Sequence, residues 1–133
     1  MGKMEPLQIL ATNDSPAISF NPEKEKFMVV GNSMPENAMG FYKKVLNWLK
    51  EYAESPNQIT EFIFQMNLLN TSSSKVFSDI FKMINIISKK SDVKVLWYYN
   101  YGDDDIQEVG VDFKEYANVS FELVAVKDFD LED

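Results

Sequence analysis

The sequence predicts an α/β protein with a single mixed β-sheet packed with about three α-helices. Its first third contains short apolar runs separated by turn residues, and the remainder alternates between helical and strand periodicity. Hydrophobic residues make up 45% of the chain and aromatic residues 14%, which is enough for a substantial core. A length of 133 residues is typical of one domain, so we expect residues 1–133 to form a single domain.

The first third is predicted to form short strands at residues 7–11, 17–20 and 27–31. Pro16 and Pro22 lie in the polar segments between these runs, where proline and asparagine favour turns. The second turn, residues 21–24, is short enough to join its strands as an antiparallel hairpin.

Beyond residue 31, helical and strand patterns alternate. Apolar residues recur at helical spacing over residues 36–54, after the polar run 70–74 to about residues 89–91, and over residues 103–117. Strands are predicted at residues 59–69, 93–101 and 121–126, with right-handed crossovers where neighbouring strands run parallel. In the strand 59–69, alternation predicts that one face carries Phe62, Phe64, Met66 and Leu68.

The composition argues against several classes of function. The chain has neither cysteine nor histidine, and all 13 of its basic residues are lysines, so we expect no metal site and no cofactor. A formal charge of −8 disfavours binding to nucleic acid or to anionic membranes. The N-terminus lacks the pattern of a secretory signal and no apolar run is long enough to span a membrane, so we expect a cytoplasmic protein.

The polar run 70–74, between the predicted strand 59–69 and the second predicted helix, is the most informative segment. It comprises Asn70, Thr71 and three serines, and one such residue would suffice to cap the helix. Capping explains part of this run, and the surplus suggests an exposed modification or docking surface. A phosphate there would add a charge of about −1.5 to −2, which the amides at a helix start can accommodate.

Three stretches of the sequence, residues 12–18, 31–38 and 68–73, resemble the SiaC-type family of bacterial regulatory phosphoproteins. That family is similar in fold and logic to STAS proteins, the anti-sigma-factor antagonists, so the resemblance implies a STAS-like fold. It also implies that Thr71 is phosphorylated by a dedicated kinase and restored by a PP2C-type phosphatase. The unphosphorylated form would bind and activate a diguanylate cyclase, which links the switch to cyclic-di-GMP and biofilm formation.

The resemblance extends the expected partner-binding surface to two segments of the chain. The chemistry of the first segment by itself favours ordinary helix initiation, with Ser33 or Met34 at the cap and Pro35 near the first helical position. The family usually has tyrosine where this chain has Met34, which puts any contact made by that side chain in doubt. The expected partner-binding residues are Ser33, Met34, Pro35, Glu36, Asn37, Asn70, Ser72 and Ser73.

Other patterns have simpler interpretations. The aromatic residues of 97–101 are expected to serve the core and cross-strand pairing. Residues 103–105 are expected at a solvated helix start, and the acidic residues 128–133 in a frayed end. Two functions other than an adaptor remain open. One is a small enzyme using serine or threonine with carboxylates, which a pocket enclosing a lysine beside a serine would favour. The other is a passive module for a small ligand or lipid, which a deep apolar cavity would favour.

Overall fold

A computed structural model describes residues 4–127 and confirms the predicted α/β fold with a single mixed sheet. The predicted acidic end, residues 128–133, lies outside the described residues. Within residues 4–127 the chain forms six strands and three helices. In chain order they are β1 (Leu7–Ile9), β2 (Ala17–Asn21), β3 (Lys26–Ser33), α1 (Ala38–Tyr52), β4 (Ile59–Leu69), α2 (Thr71–Ile87), β5 (Asp92–Asn100), α3 (Asp104–Tyr116) and β6 (Ser120–Val126).

The strands lie side by side in chain order. The pairs β1–β2 and β2–β3 are antiparallel, which confirms the predicted hairpin, whereas β3, β4, β5 and β6 run parallel. Each parallel connection passes through one helix, and all three connections step in the same direction across the sheet. Right-handed crossovers therefore place all three helices on one face.

Aromatic side chains form most of the contact between the sheet and its helices. Phe27 of β3 packs on Tyr52 of α1 with ring centroids 4.9 Å apart, and Phe64 of β4 packs on Phe81 of α2 at 5.2 Å. Trp97 of β5 is fully buried among these rings. The helix layer and the inner sheet face thus share one core, which holds the helix starts in fixed positions above the end of the sheet.

A change of register near the end of β4 corrects the predicted face of Leu68. Gly31 pairs with Met66 and the next residue of β3 pairs with Leu68, so Asn67 is an extra residue in β4. An extra residue reverses the alternation of side chains beyond it. Leu68 is therefore exposed, and Leu69 packs against the core instead.

The helix boundaries differ from the prediction by a few residues. Helix α1 begins at Ala38 with Asn37 as its N-cap, so Pro35 precedes the cap and Ser33 belongs to a strand. Helix α2 ends at Ile87, which places the two lysines at 89 and 90 beyond its last turn. Helix α3 begins at Asp104, with acidic residues in its first turn as predicted.

Candidate partner-docking site at the helix starts

The segments 12–18, 31–38 and 68–73 meet at one edge of the sheet. Strands β3 and β4 both end there because they are parallel, and β2 begins there because it is antiparallel to β3. The backbone amide of Met34 donates to the carbonyl of Asp14 at 2.8 Å, and the amide of Asn70 donates to the carbonyl of Ser33 at 3.0 Å. The backbone thus joins three segments that are far apart in the sequence.

An asparagine caps each of the two helices at this edge. The side-chain oxygen of Asn37 accepts from the amide of Gly40 at 3.0 Å, and that of Asn70 accepts from the amide of Ser73 at 2.8 Å. A cap of this kind stabilises a helix by about 1 kcal/mol. The capping interpretation of the polar run is therefore confirmed at Asn70, whereas the cap of α1 is Asn37 and not Ser33 or Met34 as predicted. Asn37 remains exposed on the surface.

Thr71 is the first residue of α2, and its side chain is exposed. Ser72 beside it is exposed as well. Neither hydroxyl has a hydrogen-bond partner within residues 4–127. Because Asn70 already caps the helix, both hydroxyls are available for other chemistry.

Ser33 and Ser73 lie in the interior, which corrects the expectation that both contact a partner directly. Each is 0% exposed. The Ser33 hydroxyl donates to Ser73 Oγ at 2.7 Å and shares a 2.6 Å hydrogen bond with the hydroxyl of Tyr42. Since the Ser33 hydroxyl has one proton, Tyr42 is the donor in the second bond. These three residues, which we call the hydroxyl chain, join the end of β3 to α1 and α2.

Burial shifts the pKa of Tyr42, the tyrosine of the hydroxyl chain. It raises the pKa of Tyr42 above its ordinary value, and the hydrogen bond with Ser33 opposes this rise in part. The tyrosine therefore stays neutral throughout the physiological range. Its role is to hold the two helix starts at a fixed separation beneath the exposed surface.

A shallow groove of about 290 Å³ lies between the starts of α1 and α2. It is open to solvent, unlike an enclosed pocket, and the Ser72 hydroxyl on its wall has no hydrogen bond to Lys75 among the described residues. This groove therefore does not enclose a lysine beside a serine, the arrangement that would favour a serine enzyme. The lining residues are Glu36, Asn37, Ala38, Met39, Ser72, Lys75 and Val76.

The rim of the groove combines apolar and charged groups. Met39 is 54% exposed and Met34, on the segment leading into α1, is 39% exposed. Methionine adapts its shape to an apolar partner surface. Sequence reasoning missed Met39 and Lys75 because each occupies an ordinary helical position, and only the approach of α1 to α2 brings them together.

Residues 4–127 contain neither a group of acidic side chains placed to hold a metal ion nor a helix long and apolar enough to cross a membrane. Every buried polar side-chain atom in the same range has a hydrogen-bond partner.

Comparison with known proteins identifies the family. A model of the SiaC family of regulatory phosphoproteins matches residues 9–126, which include the three segments that meet at this edge of the sheet. The chain belongs to this SiaC family. An uncharacterised protein of Pseudomonas aeruginosa strain UCBPP-PA14 is 25% identical over 123 residues, covering 92% of this chain and 98% of the relative.

Solved SiaC structures share the fold of this SiaC family member. SiaC of Pseudomonas aeruginosa superimposes with a TM-score of 0.81 at 25% identity, covering 92% of this chain and 100% of that one. A crystal structure of the diguanylate cyclase SiaD in complex with its activator SiaC, also from Pseudomonas aeruginosa, gives a TM-score of 0.82 at 24% identity. That match covers 90% of this chain and 99% of the other.

Proposed function

We propose that this SiaC family protein is a phosphorylation-switched adaptor whose acceptor is Thr71. In its unphosphorylated form it binds and activates an effector, a diguanylate cyclase, and thereby controls cyclic-di-GMP signalling and biofilm formation. A dedicated kinase modifies Thr71 and a PP2C-type phosphatase restores it. The protein acts in the cytoplasm through binding, without catalysing a reaction itself.

The observation that carries this proposal is the position of the Thr71 hydroxyl. It is exposed at the first residue of α2, immediately before Ser72, which lines the groove between the two helix starts. A phosphate there would add a charge of about −1.5 to −2 without entering the core. A partner packed on the groove would then have to accommodate both the bulk and the charge of the phosphate.

The docking surface consists of the exposed residues at the edge where the three segments meet. Met34, Glu36 and Asn37 contribute from the α1 side, and Ser72 contributes from the α2 side. Pro35 is half-buried and shapes the approach to α1. The activation of the cyclase SiaD by SiaC in Pseudomonas aeruginosa supports the choice of effector.

Acceptor identity is tested by incubating the wild-type chain, Thr71→Ala and Ser72→Ala with the cognate kinase and ATP. Intact mass should rise by one phosphate for the wild type and for Ser72→Ala but stay unchanged for Thr71→Ala. Stoichiometric phosphorylation of Thr71→Ala would show that the acceptor lies elsewhere.

The polarity of the switch is tested with Thr71→Glu and the matched control Gln107→Glu, which adds the same charge at the exposed start of α3. We expect Thr71→Glu to weaken cyclase binding at least about tenfold, or about 1.4 kcal/mol. Its free energy of unfolding should change by less than about 0.5 kcal/mol, since the position is exposed. Equal cyclase binding and activation by both variants would contradict the proposal.

A further inference from the structure

The groove contains a cation that is not paired with any carboxylate of the described residues. Lys75 lines the groove, and its ammonium forms no ion pair within residues 4–127. Glu36 lines the same groove but does not pair with it. The chain contains no arginine, so lysine is the only side chain with a permanent positive charge that this protein can offer to a phosphate.

Helix geometry places this lysine next to the acceptor threonine. Thr71 and Lys75 are four residues apart on α2, so they lie on the same face with Cβ atoms about 5–6 Å apart. Helical side chains lean toward the N-terminus, so the side chain of Lys75 is long enough to reach a phosphate on Thr71. An anionic residue four positions before a lysine is also the more favourable order for an ion pair on a helix.

The competing carboxylate on α2 already has another partner. Asp79 follows Lys75 by four residues, in the less favourable order. Its carboxylate instead lies 3.9 Å from the ammonium of Lys82. Lys75 is thus left free to pair with a phosphate.

We propose that Lys75 holds the phosphate of phosphothreonine 71 within the same chain, which withdraws its ammonium from the groove. This inference rests on the proposed function, because it requires that Thr71 be modified. Phosphorylation then changes the groove in two ways: it adds a phosphate at the rim, and it removes the unpaired cation that a partner carboxylate could use. Lys75 is a positioning residue in this account, and it is not required for the transfer of the phosphate.

The test uses full-length protein with phosphothreonine genetically encoded at position 71, so that no kinase is needed. Phosphorus NMR measures the second ionisation of the phosphate as a function of pH in this protein and in versions carrying Lys75→Gln or Lys89→Gln. Lys89→Gln is the matched control because it removes the same charge from an exposed site just beyond the far end of α2, and Lys89 forms no ion pair within residues 4–127.

We expect the second ionisation to occur about 0.3 pH unit higher in Lys75→Gln than in the unsubstituted phosphoprotein, which corresponds to one exposed ion pair on a helix. Lys89→Gln should match the unsubstituted phosphoprotein, and about 1 M salt should abolish the difference between the two variants. Identical titrations of Lys75→Gln and Lys89→Gln at low salt would overturn the proposal. Equal binding of the cyclase to phosphorylated and unmodified protein would contradict the proposed adaptor function. The NMR comparison does not depend on the cyclase, so it would still decide the role of Lys75.

Discussion

Substitution of Tyr42 by phenylalanine tests the hydroxyl chain that joins the two helix starts. Tyr42 is 0% exposed, and its ring packs edge-on against the rings of Phe41 and Phe77. Phenylalanine keeps this packing and removes one buried hydrogen bond, the 2.6 Å bond to Ser33. Such a bond contributes about 1 kcal/mol, so we expect the free energy of unfolding to fall by about that amount at neutral pH.

At alkaline pH, Tyr42→Phe should become more stable than the wild type. The unfolded phenol ionises near pH 10, whereas burial raises the pKa of Tyr42 in the folded protein. Above about pH 10 the folded wild type holds a proton that the unfolded chain has lost, so its stability falls by about 1.4 kcal/mol per pH unit. Tyr42→Phe cannot ionise and escapes this loss. The two stability curves should therefore cross near roughly pH 11.

Urea denaturation followed by tryptophan fluorescence between about pH 7 and pH 11 measures both effects. Tyr52 is also buried with a raised pKa, but it is present in both proteins and cancels in the difference. Tyr101→Phe, which removes a phenol that is 80% exposed, is the matched control. A stability difference between wild type and Tyr42→Phe that stays constant over the whole pH range would refute the reasoning.

Three further substitutions test the packing of the core and the hydrogen bonds at the candidate site. Gly110→Ala would place a Cβ 2.4 Å from Cδ1 of the buried Trp97 ring, so we expect a loss of about 1–3 kcal/mol in urea denaturation despite the better helix propensity of alanine. A gain in stability would show that the ring moves freely. Asn70→Ala removes the cap of α2 and should cost about 1 kcal/mol, with faster amide exchange confined to the first turn of that helix. Unchanged exchange there would show that the cap contributes nothing. Ser73→Ala and Tyr42→Phe belong to one hydrogen-bonded chain, so their combined cost in a double-mutant cycle should differ from the sum by about 0.5 kcal/mol or more. If the two losses of stability simply added, the hydroxyl chain would not couple these residues.

The sequence predicted the strand β4 with its correct bounds but assigned Leu68 to the wrong face. Alternation is a local rule, and it holds from Phe62 to Met66. The extra residue at Asn67 is visible only when β4 is aligned with β3, because a register shift is a property of two strands. No pattern within the strand itself could have indicated it.

Local sequence also could not show which of the predicted site residues are buried. Ser33 and Ser73 were expected on the partner-binding surface together with their neighbours, yet both are fully buried and support that surface from below. Polar residue type indicates a tendency toward exposure, whereas a buried hydroxyl is tolerated where hydrogen-bond partners satisfy it. The partners here are 9 and 40 residues away in the chain.

Periodicity, turn residues and composition determined the class of fold, the order of its elements and the polar run at the start of the second helix. Each of these depends on residues close together in the sequence, where propensity and alternation operate. Only the tertiary structure decided that residues 33, 42 and 73 form one hydrogen-bonded chain and that Lys75 lies in a groove facing the first helix. These juxtapositions follow from the pairing of β3 with β4 and from the packing of both helices on one sheet face, which no local stretch of sequence specifies.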